Sequence, residues 1–128
     1  MTGSVSPQGS SILVADDDPG VRYVVRWALE GEGLPVTMAA NGGEALKAIA
    51  DSPPSLIVLD LTMPLATGSE VARRAREAKA ETPILLVTGD GRAREKAQAI
   101  GAYAYLEKPF DVTELVAAVR QGLDSIHA

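Results

Sequence analysis

Five short apolar runs punctuate the chain, and most of them stop at a polar residue: Ile12–Ala15 (ILVA), Leu34–Ala39 (LPVTMA), Leu56–Leu59 (LIVL), Ile84–Val87 (ILLV) and Tyr103–Leu106 (YAYL). Runs of about four branched apolar side chains without polar alternation predict strands covered on both faces. The second run is placed nearer a sheet edge, because Pro35 cannot donate to a ladder. Between the runs the apolar period becomes helical. Val21, Val24, Val25, Ala28 and Leu29 form one stripe; Asp18 is its predicted N-cap, Pro19 suits the first turn, and Gly31 and Gly33 end it. After an Asn41-Gly42-Gly43 turn, a helix over Glu44–Asp51 turns Ala45, Leu46 and Ile49 inward. A third, Ser69–Lys79, is expected to be capped by Ser69, with Val71, Ala72 and Ala75 inward and Arg73, Arg74 and Arg76 outward. A fourth, Arg92–Ile100, buries only Ala93, Ala97 and Ile100, so little apolar area holds it. Asp111 caps the last, which turns Val112, Leu115, Val116, Val119 and Leu123 inward.

Strand and helix thus alternate with short connections. Right-handed crossovers turn that order into an α/β, doubly wound, five-stranded parallel sheet with five helices on its two faces. Ligands of such sheets bind beyond the carboxyl ends of the strands, where the strand order reverses. A chain of 128 residues with 46% hydrophobic content supports one domain with a core of its own. Residues 1–10 carry neither a basic segment nor an apolar one and are read as a flexible N-terminal tail, leaving residues 11–126 as the domain. The absence of cysteine and the single histidine, His127, exclude thiolate and multi-histidine metal sites. A net charge of −5 argues against nucleic acid binding by this domain. No apolar run reaches membrane-spanning length, so the expected compartment is the cytoplasm.

The polar residues at the strand ends carry the chemistry. The first strand delivers Asp16 and Asp17, the third Asp60, the fourth Thr88, and the fifth leads within two residues to Lys108. Each alone has an ordinary explanation as a capping carboxylate, a strand-end hydroxyl or a surface ammonium. A parallel sheet, however, gathers all of them on one rim. Converging carboxylates repel unless one is protonated or a cation intervenes. Mg²⁺ suits such oxygen donors. Asp17 and Asp60 are assigned as its direct ligands and Asp16 as a ligand through water. The reaction that fits is phosphoryl transfer onto Asp60, with the Lys108 ammonium and the Thr88 hydroxyl covering phosphoryl oxygens.

Taken in order, ILVADDD, LIVLDLTMPLATG, ILLVTG and GAYAYLEKPF resemble the receiver domain of bacterial two-component response regulators, of the chemotaxis-regulator type. The resemblance runs from Ile12 to about Leu123. It implies a flavodoxin-like strand order 2-1-3-4-5. It also implies Asp60 as phospho-acceptor, Asp16 and Asp17 as the acidic pair, Thr88 as switch hydroxyl, Lys108 as phosphate-binding lysine and Tyr105 as switch aromatic. The Thr62 backbone carbonyl would be a further metal ligand, and Pro109 would follow a cis peptide bond. The implied donor is a sensor histidine kinase or a phosphotransfer protein. The implied recipient is a downstream protein target or an effector domain that the sequence does not name. The protein would be no enzyme in the usual sense, but a phospho-acceptor that assists its own phosphorylation and dephosphorylation.

The resemblance implies that Thr62 and Asp90 tune the loss of the phosphoryl group, and Gly89 should leave the pocket open to donors. Ala102, Ala104 and Ala118 depart from the pattern of receivers that dimerise through their last two helices. Tyr23 and Trp27, four apart on the first helix, form an aromatic pair opposite its apolar stripe. A flavin binder would need a Ser/Thr/Gly-rich loop where the three aspartates stand. An Asp-nucleophile phosphatase of the haloacid dehalogenase kind needs an acid where Thr62 stands. The remaining alternative is a non-phosphorylated, receiver-like protein-binding module.

Overall fold

The computed structural model describes residues 11–61, 67–79, 81–89 and 91–127, with side chains as far as Ser125. The N-terminal tail, Thr62, the Met63-Pro64 pair of the LIVLDLTMPLATG motif and Asp90 lie outside the described residues, as does the His127 side chain. The elements follow in the order β1 (Ile12–Ala15), α1 (Pro19–Glu30), β2 (Val36–Ala39), α2 (Gly42–Asp51), β3 (Leu56–Leu59), α3 (Gly68–Ala78), β4 (Ile84–Thr88), α4 (Ala93–Ile100), β5 (Ala104–Glu107) and α5 (Val112–His127). The strands are parallel in the order β2-β1-β3-β4-β5, so β2 and its Pro35 do lie at an edge.

Successive strand residues point to opposite faces, and here both faces are covered. Leu13, Ala15, Ile57, Leu59, Ile84 and Leu86 pack with Ala45, Ile49, Val71, Ala75, Ala97 and Ile100 from α2, α3 and α4. Ile12, Val14, Leu56, Val58, Leu85 and Val87 pack with Val25, Leu29, Leu115 and Val119 from α1 and α5. This double covering explains why β1, β3 and β4 show no polar alternation.

Several local expectations are corrected. The α3 cap is Thr67 and not Ser69: Thr67 is extended, and its Oγ1 accepts a bond from Glu70 N at 3.1 Å. Ser69 is already inside the helix. The predicted Asn41-Gly42-Gly43 turn is instead the start of α2, where Asn41 Oδ1 accepts from Glu44 N at 2.8 Å. Arg76 does not face freely outward. It turns back to donate to Ile100 O and Gly101 O at 2.8 Å each, at the carbonyl end of α4. Val24, on the margin of the α1 stripe, is exposed beside a shallow cleft shared with Val21, Pro109 and Phe110. The start of α4 is bare: Arg92 occupies its N-cap in the left-handed region (φ 56°) without a side-chain cap bond.

Gly68 opens α3 by close approach. A Cβ there would meet the Leu61 side chain and lie 3.0 Å from Leu61 Cα, a backbone atom that cannot swing aside. Gly68→Ala is therefore expected to destabilise the domain by about 1–3 kcal/mol, as overpacking does. Urea denaturation would show this as a lower midpoint at unchanged slope.

Candidate functional site

The sheet ladder does not stop with the apolar residues; it runs on into the acids. Asp16 N donates to Ala39 O at 3.1 Å, and Asp60 N donates to Ala15 O at 2.9 Å. The β1–β3 register pairs Ala15 with Leu59, so Asp16 and Asp60 emerge side by side from two buried strands in the interior of the sheet. Both are almost fully buried, at 3% and 2% exposure, whereas Asp17 is exposed. Carboxylate oxygens of Asp16, Asp17 and Asp60 lie within 4.8 Å of one another.

Lys108 arrives from the other side. Its backbone N–H donates to Thr88 O at 2.9 Å, so the last bond of the β4–β5 ladder sets it beside the end of β4. Its Nζ lies 2.8 Å from Asp16 Oδ2 and 3.5 Å from Asp60 Oδ2. The lysine is thus paired more closely with Asp16 than with Asp60. The Lys108–Pro109 peptide is cis. Gly89 adjoins the lysine stem, since a Cβ on it would come within 3.5 Å of Lys108 Cβ.

Burial pushes the Asp16 carboxyl above the usual carboxylate range; the bonds from Lys108 and Asp18 N oppose this without overcoming it, and the Asp60 charge adds to it. Burial alone would lower the Lys108 ammonium. Its bond to Asp16 and the charges of both aspartates outweigh that and raise it. Three carboxylates facing one ammonium leave a negative excess that suits a divalent cation, and the all-oxygen donor set suits a hard one such as Mg²⁺.

The other predicted residues divide. Thr88 is buried at the end of β4, in register with Glu107. Tyr105 is 41% exposed and lines a groove between α4 and β5 with Arg94, Gln98 and Ala102. Thr62 is not among the described residues. Tyr23 and Trp27 are exposed on α1, and Trp27 borders a cleft against Val112 and Val116 of α5. One contact had no signal in the sequence: Arg22 Nη1 donates to the Asp16 carbonyl at 2.8 Å. Its spacing does not set it apart from other helical arginines.

The family model described as the response regulator receiver domain matches residues 12–120. The chain belongs to that family. This receiver domain is 41% identical over 111 residues to the response regulator MprA of Mycobacterium sp. (strain KMS), a match covering 85% of the chain and 48% of MprA. It therefore spans about half the length of that relative. Among solved structures, a CheY-like receiver domain protein from Methanospirillum hungatei is 29% identical with a TM-score of 0.83, covering 91% of this chain and 94% of that one. The response regulator TrrA of Thermotoga maritima, solved in complex with Mg(2+)-BeF, is 35% identical with a TM-score of 0.79, covering 89% of this chain and 99% of that one. The order of strands, the acidic pocket and these relatives agree on a receiver domain of two-component signalling. Among the described residues, no helix is long and apolar enough to cross a membrane.

Proposed function

We propose that Asp60 is the phospho-acceptor and takes its phosphoryl group from a phosphohistidine of a sensor histidine kinase or phosphotransfer protein. The observation that carries this is the convergence of Asp16, Asp17 and Asp60 within 4.8 Å, with Lys108 Nζ at 3.5 Å from Asp60 Oδ2. An Asp60 oxygen attacks phosphorus in line. The P–O bond forms as the P–N bond to the donor imidazole breaks, and an acyl phosphate remains. Lys108 leaves Asp60 for a phosphoryl oxygen, keeping its hold on Asp16, and the Thr88 hydroxyl donates to another. Asp17 and Asp60 would hold Mg²⁺ directly and Asp16 through a water, with the Thr62 carbonyl as a further ligand. When bound, the ion neutralises charge on the transferring group. The relative solved in complex with Mg(2+)-BeF supports that choice of metal. The domain is an acceptor that assists its own phosphorylation and the later loss of phosphate.

The test is mass spectrometry after incubation with acetyl phosphate and Mg²⁺. A hydroxylamine-labile phosphoryl adduct supports the reading. No adduct, with intact partner binding, would favour the protein-binding module instead.

The switch follows from two neighbouring strands. Thr88, drawn toward the new phosphoryl oxygens, leaves room for the exposed Tyr105 ring to turn in, and the weakly capped α4 responds. The signal then passes to a downstream protein or an effector segment. Thr88→Ala is expected to accept phosphate but to lose the phosphorylation-induced change in amide exchange over α4. An unchanged response in that variant would remove Thr88 from the switch.

A further inference from the structure

Asp16 is held at four atoms. Its N–H donates to Ala39 O (3.1 Å), its Oδ1 accepts from Asp18 N (2.9 Å), its Oδ2 pairs with Lys108 Nζ (2.8 Å), and its carbonyl accepts from Arg22 Nη1 (2.8 Å). The last of these comes from a helix. It is a half-buried guanidinium one turn into α1, reaching back past the loop to the end of β1. The Asp16 carbonyl and the Asp17 N–H belong to one rigid peptide plane. Whatever fixes the carbonyl fixes that plane, and with it the direction in which Asp17 leaves the strand. On the other side of Asp17, Asp18 is fixed twice, by its own N–H on Asp16 Oδ1 and by its side chain capping Gly20 N at 2.8 Å. Asp17 is exposed, with no core around it to orient its carboxylate.

We infer that Arg22 is a positioning residue for the cation site: by holding the Asp16 carbonyl it sets the Asp16–Asp17 peptide plane and brings the Asp17 carboxylate to the other two acids. This rests on the reading that Asp16, Asp17 and Asp60 hold the divalent cation. Two effects of Arg22 oppose each other there. As a charge, a guanidinium near three carboxylates disfavours a second cation, so its removal should tighten Mg²⁺ binding. As a clamp, it preorganises a ligand, so its removal should loosen binding. Groups bonded directly to a ligating side chain are typically worth about 10–100-fold in metal affinity; Arg22 acts one peptide plane further out, so the low end of that range applies.

The sign of the change therefore decides. Mg²⁺ affinity is measured by calorimetry on the whole chain at about 0.1 M and about 0.5 M KCl, since salt screens the charge effect and not the clamp. Arg22→Ala is expected to bind Mg²⁺ about tenfold more weakly at both. Arg22→Lys is expected to recover most of the loss, because a single donor is used. Circular dichroism in EDTA reports whether each variant is folded. Should Arg22→Ala unfold, Arg22→Lys and Arg22→Gln carry the test: affinity falling from Arg to Lys to Gln supports the inference, and equal affinities overturn it. Unchanged or tighter binding in folded Arg22→Ala overturns the inference alone. A wild-type chain that binds no Mg²⁺ overturns the cation reading, and the inference with it.

Discussion

Asp60→Ala is expected to take no phosphoryl group from acetyl phosphate in Mg²⁺, under conditions that label the wild-type domain. The loss should be complete, because neither neighbouring acid is placed to substitute. Asp16 has one oxygen committed to Asp18 N and the other to Lys108. Asp17 is exposed, where water competes with it for any phosphoryl donor. Without Asp60, Lys108 has one carboxylate partner left at the site, and the 2.8 Å contact with Asp16 becomes its resting position. Mass spectrometry with hydroxylamine treatment reads the outcome directly. A stable adduct on the variant would assign the chemistry to another residue.

Lys108→Ala is expected to separate binding from transfer. The lysine spans Asp16 and Asp60 as their internal counter-charge, so a divalent cation must share the carboxylates with it. Without it, Mg²⁺ should bind more tightly, while phosphorylation slows by about 10²-fold or more, the usual cost of losing one donor to a transferring group. In EDTA the variant should lose stability, by less than the about 3–5 kcal/mol that breaking a fully buried pair costs, because two buried carboxylates are left facing each other but the lysine they lose is 23% exposed. That loss has a definite pH dependence. Asp16 already binds its proton above the ordinary carboxylate range, chiefly through burial, and removing the ammonium raises it further. Between the unfolded value of 3.8 and the raised native one, the folded chain holds a proton that the unfolded chain releases. The metal-free variant should therefore regain stability as the pH falls through that window, and more steeply than wild type. In the wild type, the raised Lys108 contributes stability that is fully present below the ordinary lysine value of 10.5 and fades as the pH climbs through its native one. Thermal melts in EDTA and Mg²⁺ across pH, beside a mass-spectrometric time course, check both halves. Equal transfer rates in variant and wild type would deny Lys108 its role.

In the proposed switch, α4 is the element that responds. Its amino end lacks a side-chain cap, while Arg76 of α3 satisfies carbonyls at its other end. Ala93 is buried at the uncapped end, so the response expected there is a loss of helical hydrogen bonding in the first turn.

Local chemistry along the chain was enough to place the ten elements, to within a few residues at their ends, and to name the acids and the lysine of the site. Unbroken apolar runs became strands covered twice in β1, β3 and β4, while the edge strands β2 and β5 leave residues exposed; a polar residue that ends such a run in a parallel sheet reaches the same rim as the others. What the chain order could not supply was every relation made by a long side chain across elements. Arg76 was expected in solvent and instead closes α4, Arg22 was indistinguishable from its neighbours and instead grips Asp16, and Lys108 was placed on the phosphoryl group yet rests nearer Asp16 than Asp60. The α3 cap moved from Ser69 to Thr67 for a different and local reason: Thr67 is the last extended residue and its Oγ1 meets Glu70 N, a Thr-x-x-Glu spacing that the sequence already carried. Periodicity and strand ends are written in neighbouring residues, whereas the reach of a guanidinium or an ammonium depends on what the folded chain brings within a few ångströms of it.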